Sequence, residues 1–416
     1  MTEAGSRAIR QGGAVAPWIA WTAATVFVLY QLATQNSVSA MEPAMERDLS
    51  ISQMQVGIVS ASFLFVYALM QLPAGLLLDR YRPRLLLPPA ALGVAGSAWL
   101  LSISGGFWSA VAARALMGAC AAFAFPGAGL VARRRLPPAQ FALAMGLIDF
   151  AFGAGAYLGN AGVAALMNMQ TWQQVMADFA LAGAVVALLC WLFIGSTSPR
   201  GEAATEEALA KPLWTSLKEV FSVRQVRLAA ITSGALMAML FGFGGLWDVS
   251  LQQAFGYSHD QAVSLNSWLF IGVAIMPPIA GWAADRWRKR RPILFGGQIV
   301  ALMAVTAVLG VDAPLPLWVV KVNLLLLGLG IGTCVLTFPI ACDAVSPSNA
   351  GAAIGLVNAV GLASSAVFQV VPGVALDLAG SHSLLIMRLV LTVFAIAIVA
   401  GAVATWRMTP CSPRPG

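Results

Sequence analysis

The sequence predicts an all-α integral membrane protein whose twelve transmembrane helices form two pseudo-symmetric six-helix bundles. Three observations carry that expectation. Apolar residues make up 59% of the 416 and charged residues only 10%, against roughly 45–50% and about 25% in soluble domains. The apolar residues gather into twelve runs, each long enough to cross a bilayer. The second half of the chain also repeats landmarks of the first at a nearly constant offset. Disorder, a secreted disulfide scaffold and a nucleic-acid-binding domain all fail on this composition.

The runs fall at 16–41, 54–78, 85–104, 107–132, 139–167 and 175–195, then at 228–250, 262–284, 292–311, 315–341, 350–376 and 384–406. No alternating strand pattern is present, and helices satisfy their own backbone in lipid. The first run is too long for a signal-peptide core and lacks a small-residue cleavage site, so it reads as a span. Residues 196–225 form the long polar stretch, a linker between an N-terminal bundle (1–195) and a C-terminal bundle (226–416). Within it Leu209, Leu213, Trp214, Leu217, Val220 and Phe221 share one helical face, with Lys211, Lys218 and Glu219 elsewhere. That pattern predicts an amphipathic helix, lying on the inner membrane surface or packed on the protein's own helix ends.

The net charge of +7 is explained by where the charges fall. With the N-terminus inside, 20 of the 24 Lys and Arg lie in cytoplasmic segments; Arg47, Lys321 and Arg388 lie opposite, and Arg114 lies within a span. This is the positive-inside distribution. It predicts a multi-pass protein of the cell inner (plasma) membrane with both termini cytoplasmic, and nucleic acid need not be invoked. Cys120, Cys190, Cys334, Cys342 and Cys411 show no zinc spacing and read as small apolar packing residues. His259 and His382 fall in outer loops, and no Walker-type glycine loop occurs. No metal, cofactor or enzymatic chemistry is expected.

The internal repeat is the most informative feature. Gly75-Leu-Leu-Leu-Asp79-Arg80 ends the second span and Gly281-Trp-Ala-Ala-Asp285-Arg286 ends the eighth, 206 residues on. Trp108 precedes Gly118 by ten residues in span four, as Trp318 precedes Gly328 in span ten. Gly146-Leu-Ile-Asp149 in span five matches Gly355-Leu-Val-Asn358 in span eleven at an offset of 209. Two parallel six-helix repeats are a transporter architecture, with the substrate site between the halves near the midplane.

In these segments the chain resembles the major facilitator superfamily, over essentially its whole length. The family's loop signature is Gly-x-Leu-x-Asp-Arg-x-Gly-Arg-x; both copies here carry arginine, Arg82 and Arg288, at the loop glycine. The resemblance implies a secondary transporter, not an enzyme, that works by alternating access; a proton or substrate gradient drives it, with proton symport the expectation, and it is expected to function as a monomer. It also implies that Asp79 latches onto span eleven and Asp285 onto span five, closing the cytoplasmic side. The residue types suit that role: glycine lets helices approach closely, and an Asp can accept bonds from the exposed amides that start a neighbouring helix. The alternative is that these charges only enforce topology.

Arg114-Ala-Leu-Met-Gly118 resembles a second family signature, Arg-x-x-x-Gly, and an arginine inside a span is a functional hypothesis by default. Asp149 lies near mid-membrane, with neutral Asn358 as its counterpart; a proton relay and a fixed pair with Arg114 are both open. Gln31, Gln35 and Asn36, after Tyr30 in span one, are candidate cavity residues, Gln31 and Gln35 sharing a face. Gly242, Gly244 and Gly245 in span seven mark an end that bends easily, with Trp247 and Asp248 at the outer mouth. Gly146, Gly155 and Gly159 approach the family's antiporter glycine series, but Asn160 stands where proline is expected. That departure favours uptake over the alternative, a drug or metabolite efflux proton antiporter; a membrane-embedded enzyme or a channel is a weaker rival. Lys321 lies near the outer start of span ten, one helical turn before the position that matches Arg114 in span four, and two cations facing one cavity suit an anionic solute. Lys321 can instead snorkel to the outer interface, and Asp149 can neutralise Arg114. The partners expected are thus a small-molecule substrate, a proton and the bilayer.

Overall fold

A computed structural model of the chain describes residues 3–51, 53–194, 213–379 and 383–409. Among the described residues, twelve helices are long and apolar enough to cross a membrane. They are Ala16–Asn36, Ile58–Arg80, Pro83–Ser102, Phe107–Arg135, Pro138–Tyr157 and Trp172–Phe193, then Arg224–Gly245, Ser264–Trp287, Arg290–Leu309, Leu317–Asp343, Pro347–Leu376 and Leu384–Trp406, numbered here as spans one to twelve. The first is shorter than its apolar run: the helix stops at Asn36, and Val38–Leu49 forms a separate helix. Span seven likewise ends at Gly245, which leaves Asp248 just beyond it. In the linker, Leu213–Ser222 is helical with Val220 buried and Phe221 exposed, while Leu209 and Lys211 lie outside the described residues.

The chain divides into two compact units. Unit one comprises Met1–Pro137, Ala151–Leu217 and Pro347–Gly355; unit two comprises Pro138–Phe150, Lys218–Ser346 and Leu356–Gly416. Each unit therefore includes the first turns of one span from the other half of the sequence.

Packing within the units repeats the sequence symmetry. In unit one, span three lies along span six, span two along span four, and span one against spans four and six; in unit two, nine lies along twelve, eight along ten, and seven against ten and twelve. Glycines set the closest approaches. A methyl group at Gly118 would strike the Phe63 carbonyl, and one at Gly328 would strike the Leu269 carbonyl. These pairs are equivalent under the repeat, so the closeness of spans two and four, and of eight and ten, is what the repeated glycine records. Trp108 and Trp318, ten residues earlier, are 76% and 69% exposed, as suits an interfacial aromatic belt.

Helix ends in the loops are closed by short polar side chains. Thr171 and Gln174 form a capping box before span six, and Ser383 caps the start of span twelve. Among the described residues, regular α-helical bonding gives way at Leu158–Gly162 after span five and at Ala238–Trp247 from span seven onward, both π-helical, and at tighter turns: Thr333–Leu336 in span ten, and Pro138–Gln140 and Pro347–Asn349 at the starts of spans five and eleven. The second π-helical stretch spans Gly242, Gly244 and Gly245, the run singled out for bending.

Candidate functional site

In unit one the polar residues converge at the end of span one. The last carbonyls of a helix lack partners within it and carry its negative pole. Arg114, on span four, meets them: Nη1 donates to the Thr34 carbonyl at 2.9 Å and Nη2 to the Gln35 carbonyl at 3.0 Å. Nη1 also points at the Met117 sulfur, and the guanidinium lies 4.7 Å from the Phe63 ring centre. Arg114 is only 1% exposed, yet it makes no ion pair among the described residues, and its Nε–H has no acceptor. Of a guanidinium's five donors, Nε–H and one hydrogen of Nη2 are unspent, the pair that forms a parallel fork for a carboxylate.

Gln31, fully buried, donates through Nε2 to Gln35 Oε1 at 2.8 Å, while its own Oε1 has no partner. Asn36 turns back to the Leu32 carbonyl at 2.9 Å. Gln31, Gln35 and Arg114 are thus brought together around one helix end, with Asn36 bonded to its own helix.

The candidates in unit two are dispersed. Asp149 is partly buried and accepts no hydrogen bond and makes no ion pair among the described residues; it lies close enough to Cys334 on span ten to interact electrostatically. Asn358 is buried without a hydrogen-bond partner among the described residues. Lys321 places its ammonium 5.8 Å from the Trp268 ring centre, a cation–π contact.

The duplicated loop segments sit at helix starts. Asp79 accepts the amides of Gly351 and Ala352, both at 2.7 Å, in the first turn of span eleven. Asp285 accepts the Leu143 amide at 2.9 Å in the first turns of span five, with Arg290 at 3.6 Å. Gly75 and Gly281 make these approaches possible: a methyl at Gly75 would lie 2.5 Å from the Gly351 oxygen, and one at Gly281 closer still to the Ala142 oxygen. Arg80 and Arg286 follow on the same helices, Arg286 at an exposed position.

Three buried polar groups carry weight that the sequence did not reveal. Gln71, one turn before Gly75, is fully buried with neither end of its amide partnered. Asp248, read as an outer-mouth residue, is fully buried: Oδ1 accepts from Gln252 at 3.0 Å and Oδ2 has no partner. Burial pushes its carboxyl up to about 7, against the opposing Gln252 hydrogen bond. Asn266 donates to the Gly244 carbonyl at 2.8 Å within the glycine run and leaves Oδ1 unpaired. A polar residue in an apolar run was the available signal for each, and it does not tell a buried group from a wetted one.

Comparison with known proteins places this geometry in context. The model of the Major Facilitator Superfamily matches residues 23–368 and 229–415. The chain is 23% identical over 408 residues to the probable galactarate/D-glucarate transporter GudP of Bacillus subtilis, covering 86% of each protein. It is 25% identical over 388 residues to the probable anion transporter 6, chloroplastic, of Arabidopsis thaliana, covering 86% of this chain and 72% of that one. It is 24% identical over 282 residues to the uncharacterised transporter YybO of Bacillus subtilis and spans 60% of its length. Among solved structures, the E. coli fucose:proton symporter FucP superposes with a TM-score of 0.69 at 13% identity, over 93% of this chain and 97% of that one. That likeness establishes the shared twelve-helix fold.

Proposed function

Since the chain belongs to the Major Facilitator Superfamily and is a membrane transporter of that family, we propose that its cargo is a small organic anion moved together with a proton by alternating access. The observation that carries this reading is Arg114, a buried guanidinium with no carboxylate partner among the described residues and an unspent Nε–H. Among the described residues its charge is met by the carbonyl end of span one and the face of Phe63, which leaves the cation able to take a carboxylate of the substrate through two parallel bonds. Relatives described as galactarate/D-glucarate and anion transporters agree with that chemistry.

Asp149 serves as the proton carrier in this reading. It has no hydrogen bond or ion pair to hold it ionised among the described residues, so its charge state is free to change. Asp79 and Asp285 hold the starts of spans eleven and five and release them during the cycle. The protein resides in the inner (plasma) membrane, with the basic loops and both termini cytoplasmic, and acts as a monomer.

The experiment is uptake into proteoliposomes of labelled galactarate against neutral fucose, with and without an imposed pH gradient. Galactarate is expected to enter, to be driven by the gradient and to be outcompeted by other dicarboxylates but not by fucose. Arg114→Lys keeps the charge but loses the fork, and is expected to weaken galactarate binding about tenfold or more. Asp149→Asn is expected to abolish the pH drive while counterflow exchange persists. A best ligand that is neutral or cationic would overturn the anion reading.

A further inference from the structure

At the basic end of unit two, the turn between spans eight and nine and the end of span twelve enclose a cavity of about 550 Å³. Its rim is cationic, with Arg288, Lys289, Arg290 and Arg291 in succession, and its walls are largely apolar, built from Phe295, Ile340 and Trp406 among others. The charges are unequal in how they are matched. Arg290 is ion-paired with Asp343 and lies 3.6 Å from Asp285. Arg291 donates to the Thr405 carbonyl at 3.2 Å and to the Trp406 carbonyl, and stacks over the Trp406 ring at 5.2 Å, with no carboxylate paired to it among the described residues. Arg288 and Lys289 are exposed and make no hydrogen bond or ion pair among the described residues. Arg290 is 94% buried, lines the cavity, and its Nε–H has no acceptor.

Three unneutralised cations and an unspent buried donor therefore surround a pocket whose floor is hydrocarbon. A free inorganic anion would satisfy the rim and leave the apolar walls wet. An amphiphile satisfies both. Trp282, Trp287 and Trp406 are exposed beside this end of the helices, which sets the cavity at the membrane–water boundary. Basic pockets at that level suit lipid phosphates.

We propose that this cavity binds the phosphate headgroup of an anionic phospholipid, with Arg288, Lys289 and Arg291 around the phosphate and the glycerol and first methylenes against Phe295 and Trp406. The occupant would tie the eight–nine turn to the end of span twelve, where Arg291 already bridges the two.

The test uses the full chain purified in a neutral detergent. Short-chain phosphatidylglycerol, phosphatidylcholine of the same chain length and inorganic phosphate are titrated separately. Native mass spectrometry counts bound lipid, and the thermal unfolding midpoint reports stabilisation. Phosphatidylglycerol is expected to fill one saturable site at least about tenfold more tightly than phosphatidylcholine, and inorganic phosphate at equal concentration is expected to give no shift. The double variant Arg288→Asn/Lys289→Gln is expected to lose roughly tenfold or more in phosphatidylglycerol affinity; asparagine is chosen because Arg288 has φ of 54°. Lys289→Gln alone is the fallback if the pair does not fold, with a several-fold loss expected. Arg82→Gln, a basic loop residue in unit one, is expected to change nothing. Equal binding of phosphatidylcholine, wild-type affinity in the variants, or an equal loss in Arg82→Gln would overturn the site. An equal shift from inorganic phosphate would overturn the lipid and assign the rim to a soluble anion.

Discussion

At the basic end of unit one, Asp79 accepts two backbone amides, each at 2.7 Å, from Gly351 and Ala352; in unit two, Asp285 accepts the Leu143 amide at 2.9 Å, interacts more weakly with the Ala142 amide, and has Arg290 at 3.6 Å. The two carboxylates are equivalent in sequence and both sit at the positive start of a helix. They are held by different means. Asp79 takes one amide on each oxygen, with the Arg134 charge acting from further off, whereas Asp285 divides itself between a helix start and a buried arginine. The loops that follow differ too. Unit one passes from Asp79 to Pro83 in four residues, and unit two takes seven to go from Asp285 to Pro292. The added residues include the extra cations and a left-handed turn at Arg288, with φ of 54°, where Arg82 has φ of −65°. Duplication preserved the acid and its glycine and left the loop free to diverge.

The largest effect is expected when the two acids are neutralised separately. Asparagine offers one acceptor and one donor where aspartate offers two acceptors. At position 79 the donor would face an amide N–H, so Asp79→Asn loses one charge-assisted bond and opposes another, at a cost of about 3 kcal/mol. Asp285→Asn can keep the Leu143 bond and loses the weaker Ala142 and Arg290 interactions, at about 1–2 kcal/mol. Asp79→Asn is therefore expected to slow transport more and to expose introduced cysteines on the basic side more. Equal rates in the two variants would show that the difference in grip has no functional weight.

Backbone proximity should reverse the ranking. A methyl at Gly281 would press on the Ala142 carbonyl harder than one at Gly75 presses on Gly351. Overpacking against backbone costs about 1–3 kcal/mol, so Gly281→Ala is expected to lower the unfolding midpoint by more than Gly75→Ala. If Gly75→Ala is the worse, side-chain grip and helix closeness are not separable in these sites.

Much of this comparison was legible in the chain because the physics that imposes it acts on residue type. A helix pair in backbone contact demands glycine, so Gly118 over Phe63 and Gly328 over Leu269 left a repeated residue at an offset of 210. Twelve apolar runs gave twelve spans for the same reason. What stayed hidden depends on partners with no sequence mark. Arg114 binds the carbonyls of Thr34 and Gln35, and a carbonyl acceptor looks the same under every residue. The π-helical stretch Ala238–Trp247 keeps an ordinary apolar composition, and the break at Ser37 sits inside an apolar run. Asp248 read as an outer-mouth residue because it stands near the end of an apolar run, but its burial is set by neighbouring helices.

A further acid of unit two, Asp248, makes stability depend on pH. Its carboxyl is raised from the usual value near 3.8 to about 7 by burial. Among the elements packed against its helix, span eight and the outer part of span seven present no described charged side chain to it, and Arg388 on span twelve is engaged with Leu309 and Asp312. A carboxyl raised on folding stabilises the protonated fold: the contribution is full below about pH 4, falls as the pH rises, and is gone above about 7. The unfolding midpoint is expected to fall by several degrees between pH 5 and 7.5, and Asp248→Asn is expected to flatten that slope. An unchanged slope in the variant would mean that Asp248 stays wetted in solution.

The smallest effect tests the loops, and here the two copies should differ in sign. Arg288 occupies the left-handed region, which costs a residue with a Cβ about 1 kcal/mol and costs glycine nothing. Arg288→Gly removes that strain but gives the unfolded chain more freedom, worth about 0.4–1 kcal/mol against folding. The balance is a gain of a few tenths of a kcal/mol. Arg82 is extended, with φ of −65° and ψ of 135°, and precedes Pro83, which favours that conformation for any residue. Arg82→Gly relieves no strain and keeps the entropic penalty, so it is expected to lower stability by about 0.5–1 kcal/mol. Both are measured as unfolding midpoints in neutral detergent without anionic lipid, so that loss of a cation at the cavity rim does not enter. A fall of equal size in both variants would mean that the turn at Arg288 relaxes in solution and that the two loops share one backbone path.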